Sequence, residues 1–161
     1  KGYAISQRFE RLEYRMTENE KKIDFFVKTA LPPVEGVFYD GQIFDAYKFV
    51  SDLIERAKKE IVLIDNYLDT SVLTLLSKRN AGVKATIYTR EIAETLQLDL
   101  QRHNAQYPEI FIAEKPNIHD RFLLIDSEVY HIGASIKDLG KKLFGFNKME
   151  MTANELLKNI C

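Results

Sequence analysis

Two short runs, Ile61-Val62-Leu63-Ile64 and Phe122-Leu123-Leu124-Ile125, are apolar at every position. Successive side chains of a strand point to opposite faces, so a run of this kind must be covered on both sides. The chain therefore needs a sheet with helices packed against it. The intervening segments supply them. In order, the pattern predicts a strand over 37–39 and a helix over 43–58, with Phe44, Tyr47, Val50, Leu53, Ile54 and Ala57 on one side. A buried strand over 61–65 follows, then a helix over 71–80, a strand over 83–89 and a helix over 91–104. Strands over 110–113, 120–125 and 129–132, a short strand over 143–146 and a helix over 152–160 complete the series. Alternating strands and helices imply an α/β fold with a mostly parallel sheet, and the strands flanking Asp126-Ser127-Glu128 read as an antiparallel hairpin.

The segment before this domain has a different period. Ile5, Phe9, Leu12, Met16, Asn19, Ile23 and Phe26 recur in alternating steps of four and three along one helix over 3–29. That is a coiled-coil seam, and a single Asn in such a seam fixes register and partner number. The stripe serves either a second copy of the chain or the helix's own domain; its narrowness and charged flanks favour the former. Leu31-Pro32-Pro33 ends the helix, because two prolines remove donors and force extended backbone. The expected organisation is a helical stalk over 1–30, a Pro-rich hinge over 31–36 and an α/β domain over 37–161.

Composition narrows the function. The 161 residues carry 23 Lys and Arg against 24 Asp and Glu, a net charge of −1. Bulk positive charge therefore does not hold the chain to nucleic acid or membrane, and any anion site must be local. The one cysteine, Cys161, excludes an internal disulfide framework and a CxxC metal site. No apolar run reaches the roughly 18 residues of a membrane span. A chain without a signal pattern and with a free thiol reads as cytoplasmic, and its Lys at position 1 suggests a fragment of something longer.

The residues most suited to chemistry are His119 and Arg121, at the mouth of a central strand and on the same face of it. Arg121 keeps its proton and calls for an anion, while His119 can act as nucleophile or proton shuttle. Together they suit a phosphate. With Ser127-Glu128 as the turn, Arg121 lies across from Ala134 and His119 across from Ile136, so 133–137 returns beside the pair. Gly133 there permits close approach of backbone or ligand, Ser135 offers a hydroxyl and Lys137 a second charge. Asp126 lies seven residues beyond His119, roughly 23 Å along an extended strand, and reads as a turn-forming carboxylate. Asn66, Tyr67 and Asp69 follow the first buried strand, either as ligand contacts or as a polar turn and helix cap. His131 faces toward or away from the site according to register. His103 reads as a packed or capping residue, and Lys58-Lys59 and Lys141-Lys142 as solvated charges, the latter pair able to extend an anion surface.

The spacing His119-x-Arg121, four residues, Asp126, six residues, Gly133 resembles the phospholipase D superfamily. There His-x-Lys-x4-Asp is followed after six residues by a Gly-Ser-x-Asn-like segment. The resemblance covers about four fifths of the chain and implies a mixed sheet flanked by helices. It also implies a homodimer, because one motif is half a site. One His119 would attack phosphorus to give a phosphohistidine, and the second copy's His119 would protonate the leaving oxygen, with no cofactor and no metal. The chain departs from that pattern in three ways. Arg121 stands for lysine, Ala134 and Ile136 for Ser and Asn, and no clear acid follows downstream to orient the histidine. Asn147 and Glu150 lie at about the equivalent distance. Stalk, hinge and single motif together also resemble the C-terminal part of phage-type proteins with an upstream KilA-N or antirepressor-like DNA-binding domain, which makes nucleic acid the expected partner. The functions left open are a phosphodiesterase acting on nucleic acid, a non-catalytic dimerisation and anion-binding module of a transcriptional regulator, and, less favoured, a lipid or small-phosphodiester hydrolase.

Overall fold

The computed structural model describes residues 2–161, with side chains at 4–19 and 31–161. The chain divides into two compact units, Lys1–Pro33 and Val34–Cys161. The first is a single helix, α1 (Gly2–Ala30), whose 29 residues span about 43 Å. Ile5, Phe9, Leu12 and Met16 of its apolar stripe each keep more than half of their surface exposed. The side chains of Ile23 and Phe26 lie outside the described ones.

The second unit runs β1 (Glu35–Phe38), α2 (Ile43–Arg56), β2 (Glu60–Ile64), α3 (Ser71–Leu76), β3 (Lys84–Thr89) and α4 (Glu94–Gln106). It continues with β4 (Ile110–Glu114), β5 (Phe122–Ile125), β6 (Glu128–Ile132), a 3-10 turn (Ile136–Asp138), β7 (Phe144–Thr152) and α5 (Ala153–Lys158). The seven strands form one sheet in the order β1-β7-β6-β5-β2-β3-β4. It is mixed, not mostly parallel as alternation alone implied. Only β2–β3 and β3–β4 are parallel, because only those neighbours are joined by helical crossovers. The pairs β2–β5, β5–β6, β6–β7 and β1–β7 are antiparallel.

The two all-apolar runs, β2 and β5, are neighbours at the middle of the sheet. Their alternate residues feed two cores. Ile61, Leu63, Leu123 and Ile125 pack with α2, α3 and α4 on one face. Val62, Ile64 and Leu124 pack with Val129 and Ala153, at the start of α5, on the other. The buried face of α2 is Ala46, Phe49, Val50, Leu53 and Ile54, spaced i, i+3, i+4, i+7, i+8. This turns Phe44, expected inside, outward to 74% exposure. β7 is nine residues long where a four-residue strand was expected. Its second half alternates polar with half-buried residues, pairs with β6 and carries Met149 and Met151 against the α5 face.

The hairpin between β5 and β6 turns at Asp126-Ser127, one residue earlier than expected, with Ile125 opposite Glu128. Asp126 adopts φ 54°, the left-handed region in which Asp and Asn are better tolerated than most residues. Its carboxylate accepts the main-chain N–H groups of Lys58, Lys59 and Glu60 at 2.7–3.3 Å, tying the α2–β2 corner to the hairpin. Burial raises its pKa and those three N–H bonds lower it, with the net result below the ordinary value. A depressed carboxyl contributes stability that is present above the unfolded pKa and lost as pH falls through the folded one. Asp126→Asn keeps the tolerance for this backbone and removes the charge. It is expected to cost about 1–2 kcal/mol at neutral pH, and urea titrations should show that difference shrinking as pH is lowered below about 4.

Candidate functional site

The earlier turn shifts the hairpin register by two residues. Phe122 pairs with His131, so Arg121 comes opposite Ile132, whose N–H it accepts at 3.3 Å, and not opposite Ala134. β5 begins only at Phe122. The Asp120 carboxylate accepts the Arg121 N–H at 2.9 Å, and His119 lies in the loop before the strand, exposed.

That loop, together with the segments leaving β2 and β3, encloses a cleft of about 310 Å³ at the carboxyl ends of the two parallel strands. His119 and Arg121 both line it, with Asn66, Tyr67, Arg90 and Asn117. Asn66 Nδ2 donates to the Ile118 carbonyl at 2.7 Å, joining the β2 exit to the histidine loop. Asp69 is turned elsewhere: it accepts the main-chain N–H of Ser71 at 2.9 Å, and the Ser71 hydroxyl, at the start of α3.

Behind the cleft lies a residue the sequence reading passed over, Asp65, with no exposed surface. Its carboxylate accepts the N–H groups of Tyr67 at 3.0 Å and Ile136 at 2.8 Å. Ser135 Oγ lies 3.0 and 3.1 Å from its two oxygens and 3.1 Å from the Tyr67 carbonyl. Burial pushes the Asp65 pKa up, outweighing those hydrogen bonds and the nearby positive charge of Arg121. Ser135 is therefore a buried brace between Asp65 and the Tyr67 loop. Gly133 is likewise occupied by its own fold. Its N–H donates to the Gly145 carbonyl at 2.8 Å, and a Cβ at Gly133 would meet that oxygen at 2.7 Å, so the close approach is by backbone. Its carbonyl accepts Arg121 Nη2 at 3.0 Å. The Nε of Arg121 is buried without a hydrogen-bond partner among the described residues.

Asp120 also lines the cleft, and its carboxylate meets His131 Nε2 at 2.7 Å. Burial raises the Asp120 pKa, but the Arg121 N–H and the hydrogen bond and charge of His131 carry it below the ordinary value. The acid beside the motif thus orients His131, not His119. Asn147 is exposed on β7 opposite His131, and Glu150 is exposed further along that strand; neither lines the cleft. Lys137 lines a separate depression of about 500 Å³ with Phe44, Tyr47 and Lys141. Asp126 sits at the far end of β5. Among the described residues, no three His, Cys, Asp or Glu side chains gather to hold a metal ion, and no helix is long and apolar enough to cross a membrane.

No family model and no curated protein matches the sequence. Solved structures do share its fold. TrmBL2, an archaeal chromatin protein described with a novel mode of DNA binding, superposes with a TM-score of 0.54 at 14% identity, covering 96% of this chain and 61% of that one. NucT from Helicobacter pylori gives 0.55 at 12% identity, covering 78% of this chain and 89% of that one. The fold is phospholipase-D-like. Phosphatidylserine synthase from Haemophilus influenzae Rd KW20 gives 0.50 at 17% identity, with 76% of this chain and only 34% of the synthase covered. At these identities the likeness speaks for architecture alone.

Ser135 is the point at which the brace can be tested. Removing its hydroxyl takes a donor from Asp65 and raises that carboxyl's pKa further. A raised folded pKa means stability is fully present below the unfolded value and lost as pH rises through the folded one. Ser135→Ala is expected to cost about 1–2 kcal/mol. The loss should be larger at about pH 8 than at about pH 4 when both proteins are unfolded with urea.

Proposed function

We propose that the cleft takes a phosphodiester of nucleic acid, in a site completed by a second copy of the chain, and that the domain is a phospholipase-D-like phosphodiesterase or its weakened descendant. The observation that carries this reading is the meeting of His119, Arg121 and Asn66 in one cleft at the carboxyl ends of β2 and β3, where α/β sheets bind their ligands. An imidazole and a guanidinium that stays protonated at any physiological pH are the groups a phosphate needs. The TrmBL2 likeness supports trying DNA first.

In the hydrolytic form, the His119 imidazole attacks phosphorus and the bond to the leaving oxygen breaks. The His119 of the second copy gives that oxygen a proton. It then takes one from water, whose oxygen displaces the first imidazole and restores it. Arg121 holds the non-bridging oxygens, and no metal takes part. The exposed stripe of α1 supports a paired molecule, and an upstream DNA-binding region would make the whole a regulator.

Two contacts favour a second reading, a phosphate-binding module without chemistry. Asp120, the acid nearest the motif, is held by His131, and Arg121 spends one donor on Gly133. Hydrolysis of bis-nitrophenyl phosphate and of single- and double-stranded DNA, with EDTA present, separates the two. The enzyme reading expects His119→Ala to be slower by about a hundredfold or more; equal rates sink it. DNA binding that survives in His119→Ala and is lost in Arg121→Ala then supports the module. For the stalk, sedimentation of the chain lacking residues before Pro32 should show monomer, and an intact dimer would assign the interface to the α/β domain.

A further inference from the structure

The cleft contains a cation and an aromatic ring that the sequence motif does not include. Arg90 directly follows the last residue of β3, and Tyr67 lies three residues past the end of β2. β2 and β3 are parallel and in register, with Ile64 beside Tyr88, so the two segments leave the sheet side by side. The Arg90 guanidinium carbon lies 5.6 Å from the centre of the Tyr67 ring, and both residues border the cleft that His119 and Arg121 line. Arg90 is exposed and makes no ion pair among the described residues.

Tyr67 combines exposure with a fixed backbone. The residue is 49% exposed, yet its N–H donates to Asp65 at 3.0 Å and its carbonyl packs 3.1 Å from Ser135 Oγ. A ring presented from pinned backbone has little conformational freedom left to lose on stacking. Aromatic rings with an arginine alongside are how proteins take unpaired bases, each base offering a flat face and its phosphate a charge. Paired bases are already stacked within a duplex and cannot present a face to such a ring.

Resting on the phosphodiester reading above, we infer that Tyr67 and Arg90 are a recognition lip for single-stranded nucleic acid. One base stacks on Tyr67, the phosphate beside it is held by Arg90, and the next phosphate lies at Arg121.

The test is fluorescence anisotropy of the full chain with labelled oligothymidine, an abasic oligomer of equal length and a duplex. Thermal unfolding of each variant serves as the folding control. Oligothymidine is expected to bind about tenfold or more tighter than the abasic strand. Tyr67→Ala should erase that preference, and Tyr67→Phe, which keeps the ring, should retain it. Arg90→Ala should lower the slope of log affinity against log salt by about 0.7, one phosphate's worth for a single strand. Equal binding of the abasic strand, equal binding of the duplex, or a preference that survives Tyr67→Ala overturns the lip. If all strands bind equally and Arg121→Ala weakens them all, the phosphodiester reading stands without it. If no strand binds the wild-type chain, that reading falls and the lip falls with it.

Discussion

A carboxylate with no solvent contact must be answered by donors on every side or it will not stay ionised. Asp65 is such a group, and four groups from three segments are arranged to answer it. The Tyr67 loop gives an N–H, the 3-10 turn gives the Ile136 N–H, Ser135 gives a hydroxyl and Arg121 a charge. These segments come from 65–67, 119–121 and 133–136, distant in sequence. The first two of these segments, with the β3 exit at Arg90, border the cleft. The buried polar cluster thus ties together two of the segments that line it.

This arrangement gives a reason for arginine at position 121. An ammonium offers one compact charge, whereas a guanidinium has five donors in a planar fork. Here one donor reaches the Gly133 carbonyl while the charge acts on Asp65. The same side chain lines the cleft. A lysine's three donors all sit on one nitrogen and could not present separate edges in this way. The exchange is consistent with a site whose internal cation has structural duties as well as any toward a ligand.

The sequence was most legible where burial dictated residue type. β5, and β2 after its first residue Glu60, are apolar because both faces are covered, and their places in the chain could be read within a residue or two. The α2 stripe was legible but its phase was not, since Phe44 is as apolar as Phe49 and only packing separates them. β7 was half hidden because Asn147-Lys148 interrupts the apolar alternation while the hydrogen-bond ladder continues. The largest miss came from one residue of turn. Placing it at Ser127-Glu128 and not Asp126-Ser127 moved every partner of β5 by two positions. The signal that decides it is an Asp able to take a positive φ and cap the neighbouring corner. His119, Arg121 and Asn66, singled out from residue type and spacing, come together in one cleft, whereas Asp65, Arg90 and the Asp120–His131 pair were not singled out. Their roles arise from contacts between segments far apart in sequence, which no spacing along one chain displays.

The strand pair β2–β5 thus has an acid anchored at each extremity, Asp126 where it enters the sheet and Asp65 where it leaves. About five residues of dry strand, roughly 17 Å, separate them. At that range, and with no shared partner, perturbations of one scarcely reach the other. The scaffold can be loosened or tightened from the hairpin corner while the cleft end keeps its form, which leaves robustness and cleft geometry free to drift apart over time.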